Sequence, residues 1–320
     1  MRKDTVIIGA GAAGLLCADR LKVDGITPLV FDKGNTPGGR LSTRKIEGGV
    51  FCHGATSIPD FKHFLGISDF AYDIFHRMET KDTISFENGV YQPTTSVSNF
   101  VKVLQNDTHV VSGLELKTID IKNKKLVLSD RKMNLSTCNY KFLILALPAF
   151  QAIKLLKSDI SSIGQMLEPT SMKLSVAGMY AFKKGQAKWK KNYLQNEKIY
   201  ALFENSRFKN DQKFDCWTVH SKDKYSCAFE EKNKSQIRDA LFTDFINLAD
   251  VEAPDLIYKA GHRWLFGFTE KPLGLPYLLL QKHSIGICGD WCLGPSVLHA
   301  ANSGIKLAEE VIARKLLNYQ

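Results

Sequence analysis

The sequence predicts an α/β fold, a Rossmann-type nucleotide-binding sheet joined to a smaller part of mixed α+β character. Three observations predict it. A β-branched run at 5–8 leads into Gly9-Ala10-Gly11-Ala12-Ala13-Gly14 and then a helical stretch to Leu21. A second β run at 28–31 ends at Asp32. Near the far end, a strand-like run at 284–288 meets Gly289-Asp290 and precedes a helix at about 299–317. Strands alternating with helices in this way read as βαβ units.

Each element has a local reason. Gly9 permits the tight turn after the first strand, Gly11 lets backbone approach a pyrophosphate, and Gly14 lets the helix pack on the strand. The free N–H groups and dipole at that helix start, with Ala12 and Ala13 in its first turn, favour an anion. Asp32 follows Gly14 by 18 residues, a spacing that suits hydrogen bonds from a ribose hydroxyl. Lys33 then leads into Pro37-Gly38-Gly39-Arg40-Leu41-Ser42. A simple nicotinamide dehydrogenase does not need this second glycine turn. An extended FAD does, with Arg40 as a bidentate cation at the pyrophosphate. Asp290 would meet the ribityl chain, and the helix that follows Ser296, Val297 and Leu298 would aim its dipole at the flavin N1/O2 edge.

The chain has 320 residues, enough for roughly two domains. Apolar residues are 44% and charged residues 24%, which excludes collagen-like, coiled-coil and mostly disordered classes. No apolar run approaches the ~20 residues of a membrane helix, so no membrane partner is expected. The net charge of +10 favours anionic partners without requiring nucleic acid. Seven cysteines without a CxxC pair suggest neither a disulfide framework nor a metal site, and a reducing, cytoplasmic location is expected. Arg2 and Lys3 before an apolar run imitate a signal peptide, but the glycine motif explains that run.

Further strings complete the pattern: His53-Gly54-Ala55, Ala146-Leu147-Pro148-Ala149, Trp217-Thr218-Val219-His220, His262-Arg263-Trp264 and Cys288-Gly289-Asp290-Trp291-Cys292. Together with Phe31-Asp32-Lys33 and Pro37-Gly38-Gly39-Arg40, they resemble the FAD-dependent amine oxidase superfamily, and within it the renalase-like branch. The resemblance runs from residue 5 to about 310. It departs at 296–304, where members often carry an aromatic residue, and after Gly89, where the chain looks shortened.

The resemblance implies non-covalent FAD in an amine oxidase-like fold. The FAD-binding domain would comprise residues 1–55, 96–150 and 266–320. The substrate domain would comprise 56–95 and 151–265. A small meander is expected at 110–121 and 125–129, a buried strand at 140–147, strands at 174–182 and 216–219, and an amphipathic helix at 234–248. Thr56, Leu116, Ala146 and Pro148 join Gly54 and Ala55 as implied cofactor neighbours, and His53 lies near the flavin. The implied activity is hydride transfer from a small molecule to flavin, with O2 as acceptor and H2O2 as product. A mis-reduced dihydronicotinamide nucleotide isomer is one donor; a small amine is the alternative. A third reading is an FAD-bound regulatory protein without turnover.

Substrate contact would fall to His262 first, at the return between the domains, then to His220, with Trp264 as a slot wall. Imidazole can donate to a carboxamide or adjust charge near it. Cys288 and Cys292 read as buried free thiols rather than a redox pair. A lysine cluster at 183–191 around Trp189 resembles a nucleic-acid patch in composition, but is read as a solvated loop. Oligomeric state is not encoded in any motif.

Overall fold

The protein was analysed as a computed structural model, which describes residues 2–186, 197–205, 212–248, 255–314 and 316. The chain opens with β1 (Arg2–Ile8), turns into α1 (Ala12–Val23) and returns through β2 (Leu29–Asp32). A two-stranded ribbon follows, β3 (Thr43–Ile46) and β4 (Gly49–Cys52). Next come β5 (Ile58–Pro59), α2 (Asp69–Thr80), β6 (Ile84–Glu87), β7 (Val90–Pro93) and α3 (Val97–Gln105). The chain rejoins the main sheet through β8 (Val110–Ser112), β9 (Glu115–Asp120), β10 (Lys125–Ser129) and β11 (Leu135–Leu145).

Two short helices, α4 (Ala149–Leu156) and α5 (Ile163–Leu167), then lead to a second sheet. It contains β12 (Ser171–Lys183), β13 (Ile199–Glu204), β14 (Phe214–Ser221) and β15 (Leu256–Lys271). Helices α6 (Asp223–Ser226) and α7 (Lys234–Ile246) intervene before β15. The chain closes with β16 (Leu278–Leu280), β17 (Ile285–Ile287) and α8 (Val297–Ala313).

The main sheet has the order β16-β17-β11-β1-β2-β8, with β10 and β9 continuing from β11. Strands β17, β11, β1, β2 and β8 run parallel. Side chains alternate between its two faces. Ile7, Val30, Phe142 and Ile144 join α1 and α8 in one core, while Val6, Ile8, Leu143 and Leu145 join β9, β10, α4 and α5 in another. Burial on both faces is expected of a parallel sheet. Helices α1 and α8 approach closely because Gly304 carries no side chain; a Cβ there would collide with the Ala13 carbonyl. Phe61, Ile74, Phe75, Met78 and Tyr91, from the 56–95 stretch, share this helical core.

The second sheet is antiparallel, in the order β13-β14-β12-β15. Val176, Tyr180, Phe182, Trp217 and Val219 pack on Ile237, Leu241 and Phe245 of α7. Met179, Ala181, Cys216 and Ala260 project to the opposite face and pack on Phe51 of β4. That second contact sets the ribbon against the antiparallel sheet.

One expected element is corrected. The run at 110–121 is not a single meander strand. Gly113, at φ 81°, breaks it, and β8 pairs in parallel with β2 while β9 pairs with β10. The last helix begins at Val297, earlier than expected, because the Ser296 hydroxyl accepts the His299 N–H at 3.2 Å and caps it.

Candidate active site

The glycine turn forms a cradle whose fit can be read atom by atom. Gly9 turns at φ 104°, and a Cβ there would collide with the Ala146 carbonyl. Ala146 itself is tied in by its N–H to the Ile8 carbonyl at 2.8 Å. A Cβ on Gly14 would collide with the Gly9 carbonyl, so those two glycines are demanded by the protein. Gly11 is different. A Cβ there would meet only the Gly38 carbonyl, at 4.0 Å. Gly11 is also the α1 N-cap, with no side-chain capping bond and no acidic residue in the first turn. Open space above an uncapped helix start fits a phosphate group.

Asp32 holds the neighbouring loops. Its carboxylate accepts the Ala10 N–H at 2.7 Å and the Gly34 N–H at 2.6 Å. Gly113 and Leu114 lie beside it, through N–H bonds to the Gly34 and Asp32 carbonyls. Leu116 is not brought to this cradle. It is buried with Ile119, Leu126 and Leu128, because the β9–β10 register shifts between Val127 and Leu128 and brings Leu116 and Ile119, three residues apart, into one core. Lys33 is exposed.

The second glycine turn docks on the first. The Gly38 N–H donates to the Ala10 carbonyl at 2.7 Å, and Leu41 N–H to the Gly38 carbonyl at 2.9 Å. Arg40 points to the far end of the chain and grips Asp290 through both guanidinium Nη atoms, with Nη1 to Oδ2 at 2.8 Å. The Thr269 hydroxyl donates to the same Oδ2 at 2.8 Å. Gly54 lies against the Arg40 carbonyl, which Ala55 N–H also reaches at 2.9 Å; Thr56 follows, partly buried. Behind Asp290, the Gly289 N–H donates to Ser303 Oγ, and Trp291 Nε1 donates to the Leu147 carbonyl beside Pro148. Val297 and Leu298 are buried in the helical core.

A second feature lies on the face of the antiparallel sheet that meets the ribbon. The register places His220 opposite Ala177 and Ala177 opposite His262. Adjacent strands are about 4.8 Å apart, so two imidazoles flank one methyl group in a row. His53, next after β4, leans on this row. Its ring centroid lies 4.8 Å from that of His262 and 5.7 Å from that of Trp264. His262 and Trp264 are 4.1 Å apart, and Trp264 Nε1 donates to the His53 carbonyl at 2.9 Å. The structure thus brings His262, His220, Trp264 and His53 together.

All three histidines are held neutral. Burial lowers His53 to about 3, assisted by the charges of His262 and Arg44. Burial also lowers His262 to about 4, with Lys234 and Arg44 adding to it. Burial alone takes His220 to about 4. Each keeps one buried ring nitrogen without a protein partner: Nδ1 of His53, Nδ1 of His262 and Nε2 of His220. Buried polar atoms are normally hydrogen-bonded, so these three ring nitrogens on one sheet face are exceptions, as are Tyr140 Oη and Thr170 Oγ1 elsewhere.

Sequence reasoning missed several neighbours of these sites. Ala177 creates the notch between two histidines, and only register reveals it. Thr269 reaches Asp290 from β15. His299, in the first turn of α8, has Nδ1 2.7 Å from Ser296 Oγ; burial lowers it while Asp290 opposes. Cys288 and Cys292 are buried free thiols, and burial pushes both up, Cys292 to about 12. Of the lysine cluster, Lys183 pairs with Asp255 and Lys184 donates to the Gln212 carbonyl; Lys188, Trp189, Lys190 and Lys191 lie outside the described residues. Among the described residues, no helix is long and apolar enough to cross a membrane.

Comparison with known proteins agrees with this layout. The NAD(P)-binding Rossmann-like domain family matches residues 7–71. A reduced UDP-galactopyranose mutase superposes with a TM-score of 0.68 at 12% identity, over 99% of this chain and 96% of that one. A cyclohexylamine oxidase from Brevibacterium oxydans IH-35A gives 0.66 at 10% identity, over 98% and 99%. A putrescine oxidase variant redesigned in its cofactor binding gives 0.64 at 12% identity, over 98% and 100%. The fold is therefore the amine oxidase-like class, a Rossmann-like parallel sheet with separate antiparallel sheets.

Proposed function

We propose that the chain is an FAD-dependent oxidoreductase, an oxidase that takes a hydride from a small substrate. The observation that carries this is Gly11: of the first turn's Gly9, Gly11 and Gly14, it is the one at which a Cβ would meet open space. The residues present fit the cofactor. The α1 start with Gly11, Ala12 and Ala13 would hold the pyrophosphate and Asp32 a ribose, while Arg40, whose fork is taken up by Asp290 rather than offered to the pyrophosphate as the sequence suggests, would act with Asp290 as a wall of the ribityl region. The α8 start at Ser296 would face the pyrimidine edge. When bound, FAD supplies a two-electron acceptor that O2 regenerates, releasing H2O2.

The remaining contributions belong to the chain. His53, His262 and Trp264 form an aromatic wall that would orient a flat substrate, and positioning of this kind supplies much of the acceleration in hydride transfer. The unpartnered His262 Nδ1 would hydrogen-bond a substrate polar group. Because the histidines are neutral, they would bind without demanding a proton from the substrate. Burial of His53 and His220 excludes water from the row.

The interleaved division into an FAD-binding part and a substrate part belongs to the same proposal, as does the renalase-like choice of a dihydronicotinamide nucleotide isomer as donor. A small amine is the second reading, favoured by the names of two structural neighbours, which are amine oxidases. Anaerobic mixing with a panel of reduced nucleotides and amines tests both. Bleaching of the flavin band by one class identifies the donor, and bleaching by neither removes the oxidase reading.

A further inference from the structure

Arg44 lies on β3 directly opposite Phe51 on β4, so both side chains project from one face of the ribbon. Phe51 stacks on Tyr258, with ring centroids 5.4 Å apart. That face therefore meets the antiparallel sheet, and His53, two residues beyond Phe51, shares it. Arg44 is partly buried there. Among the described residues its side-chain partner is the Tyr258 hydroxyl, to which Nη1 donates at 3.3 Å, and no carboxylate lies within ion-pair reach of it.

A partly buried guanidinium without a counter-ion presents a planar fork that matches carboxylate and phosphate oxygens. The charges acting on the histidine cluster are cationic. Arg44 bears on both His53 and His262, and Lys234, on the first turn of α7, bears on His262 as well. Beside them are two buried imidazole nitrogens without protein partners, Nδ1 of His53 and Nδ1 of His262. An ammonium group here would meet like charge. An anion would neutralise Arg44, while its polar remainder could use the free nitrogens.

We infer that Arg44 is a specificity-determining residue that receives the carboxylate or phosphate of an anionic substrate seated against His53 and His262. The inference rests on reading this face as the substrate site. It selects anionic donors over protonated amines, and Tyr258 aims the guanidinium.

Isothermal titration of the purified protein with benzoate, phenyl phosphate and benzylamine at matched ionic strength tests this. The rings are alike and the charges differ. Benzoate or phenyl phosphate should bind at least about 10-fold more tightly than benzylamine, the lower end of what a charge-assisted hydrogen bond contributes. The stronger anion identifies the recognised group. Arg44→Gln should weaken that anion roughly 10- to 100-fold, and Arg44→Lys should restore part of the loss. If Arg44→Gln does not fold, Tyr258→Phe serves, with the same direction and a smaller factor.

Benzylamine binding as tightly as the anions, anion binding unaffected by the substitution, or no anion binding at all would overturn the inference. The two readings fail separately. A protein without flavin that still binds anions through Arg44 refutes the FAD assignment alone. A yellow protein with Arg44-independent binding refutes the anion site alone.

Discussion

Arg40 and Asp290 form a bidentate ion pair that joins the second glycine turn to the helical turn following β17, across 250 residues of sequence. Asp290 is 5% exposed, and Thr269 supplies a third donor. The pair locks both walls of the cradle together. Removing one partner leaves a buried charge uncompensated. Arg40→Ala should therefore destabilise the protein by about 3 kcal/mol, read by urea denaturation, whereas Thr269→Val should cost only about 1 kcal/mol. Equal small losses for both would mean that the ion pair is solvated and contributes little.

Gly11 and Gly14 separate binding from folding. Gly11→Val should leave the melting temperature close to wild type and abolish FAD retention, since the added side chain enters space that only a ligand would use. Gly14→Ala should lower stability by several kcal/mol, because its Cβ strikes backbone. The two substitutions are compared by thermal melts and by flavin absorbance per chain. A Gly11→Val protein that keeps its flavin would remove the pyrophosphate from this turn.

Asp32 carries two tasks, and its substitution should show both. Asp32→Ala should weaken FAD by roughly 1–3 kcal/mol, the effect of losing a charged hydrogen-bond acceptor. It should also loosen the flavin-free protein by about 1 kcal/mol, since the Ala10 and Gly34 N–H groups lose their acceptor. An unchanged FAD dissociation constant would leave Asp32 with the loop role alone.

His262 decides how the aromatic wall works. Its Nδ1 has no protein partner, so its removal orphans nothing through that atom. His262→Asn should leave FAD content and melting temperature nearly unchanged while flavin reduction by the true donor slows by about 10²–10³, as for other lost positioned donors. Anaerobic stopped-flow with parallel melts separates the outcomes. A destabilised variant with wild-type reduction kinetics would assign His262 to the core.

The neutral histidines also set a pH dependence. His53 and His220 fall from an ordinary value of 6.5 to about 3 and about 4 in the folded protein. Between those values and 6.5 the unfolded chain binds more protons than the folded one, so stability rises with pH in that window. Each buried imidazole should contribute a loss of up to about 1.4 kcal/mol per pH unit as pH falls below about 6.5. Urea melts at pH 7.5, 5.5 and 4.5 should show this slope, and His220→Gln should flatten it. A flat profile from pH 7 to 5 would mean that these rings are solvated.

Local patterns made much of the fold legible in the sequence. The turn at Gly9–Gly14 and the strand ending at Asp32 each depend on neighbours within a few residues, whereas the cap at Ser296 starts the last helix ahead of the expected 299. Long-range geometry stayed hidden. The Arg40–Asp290 pair spans the chain, and the His220–Ala177–His262 row exists only in a three-strand register that no single segment encodes. Leu116 enters the core with Ile119 through a register shift against β10 that no local pattern shows, and Gly113 and Leu114, ahead of β9, lie beside Asp32. Arg44 carried a readable signal, its place on a hairpin face with Phe51 and His53, but only once Glu47-Gly48 is taken as the turn that sets their register.

Acid precipitation of the purified protein, followed by chromatography of the released flavin, tests the FAD assignment most directly. The structure predicts a yellow protein that releases FAD, close to one per chain, into the supernatant. Release of FMN, or a colourless protein that cannot be reconstituted with FAD, would contradict it.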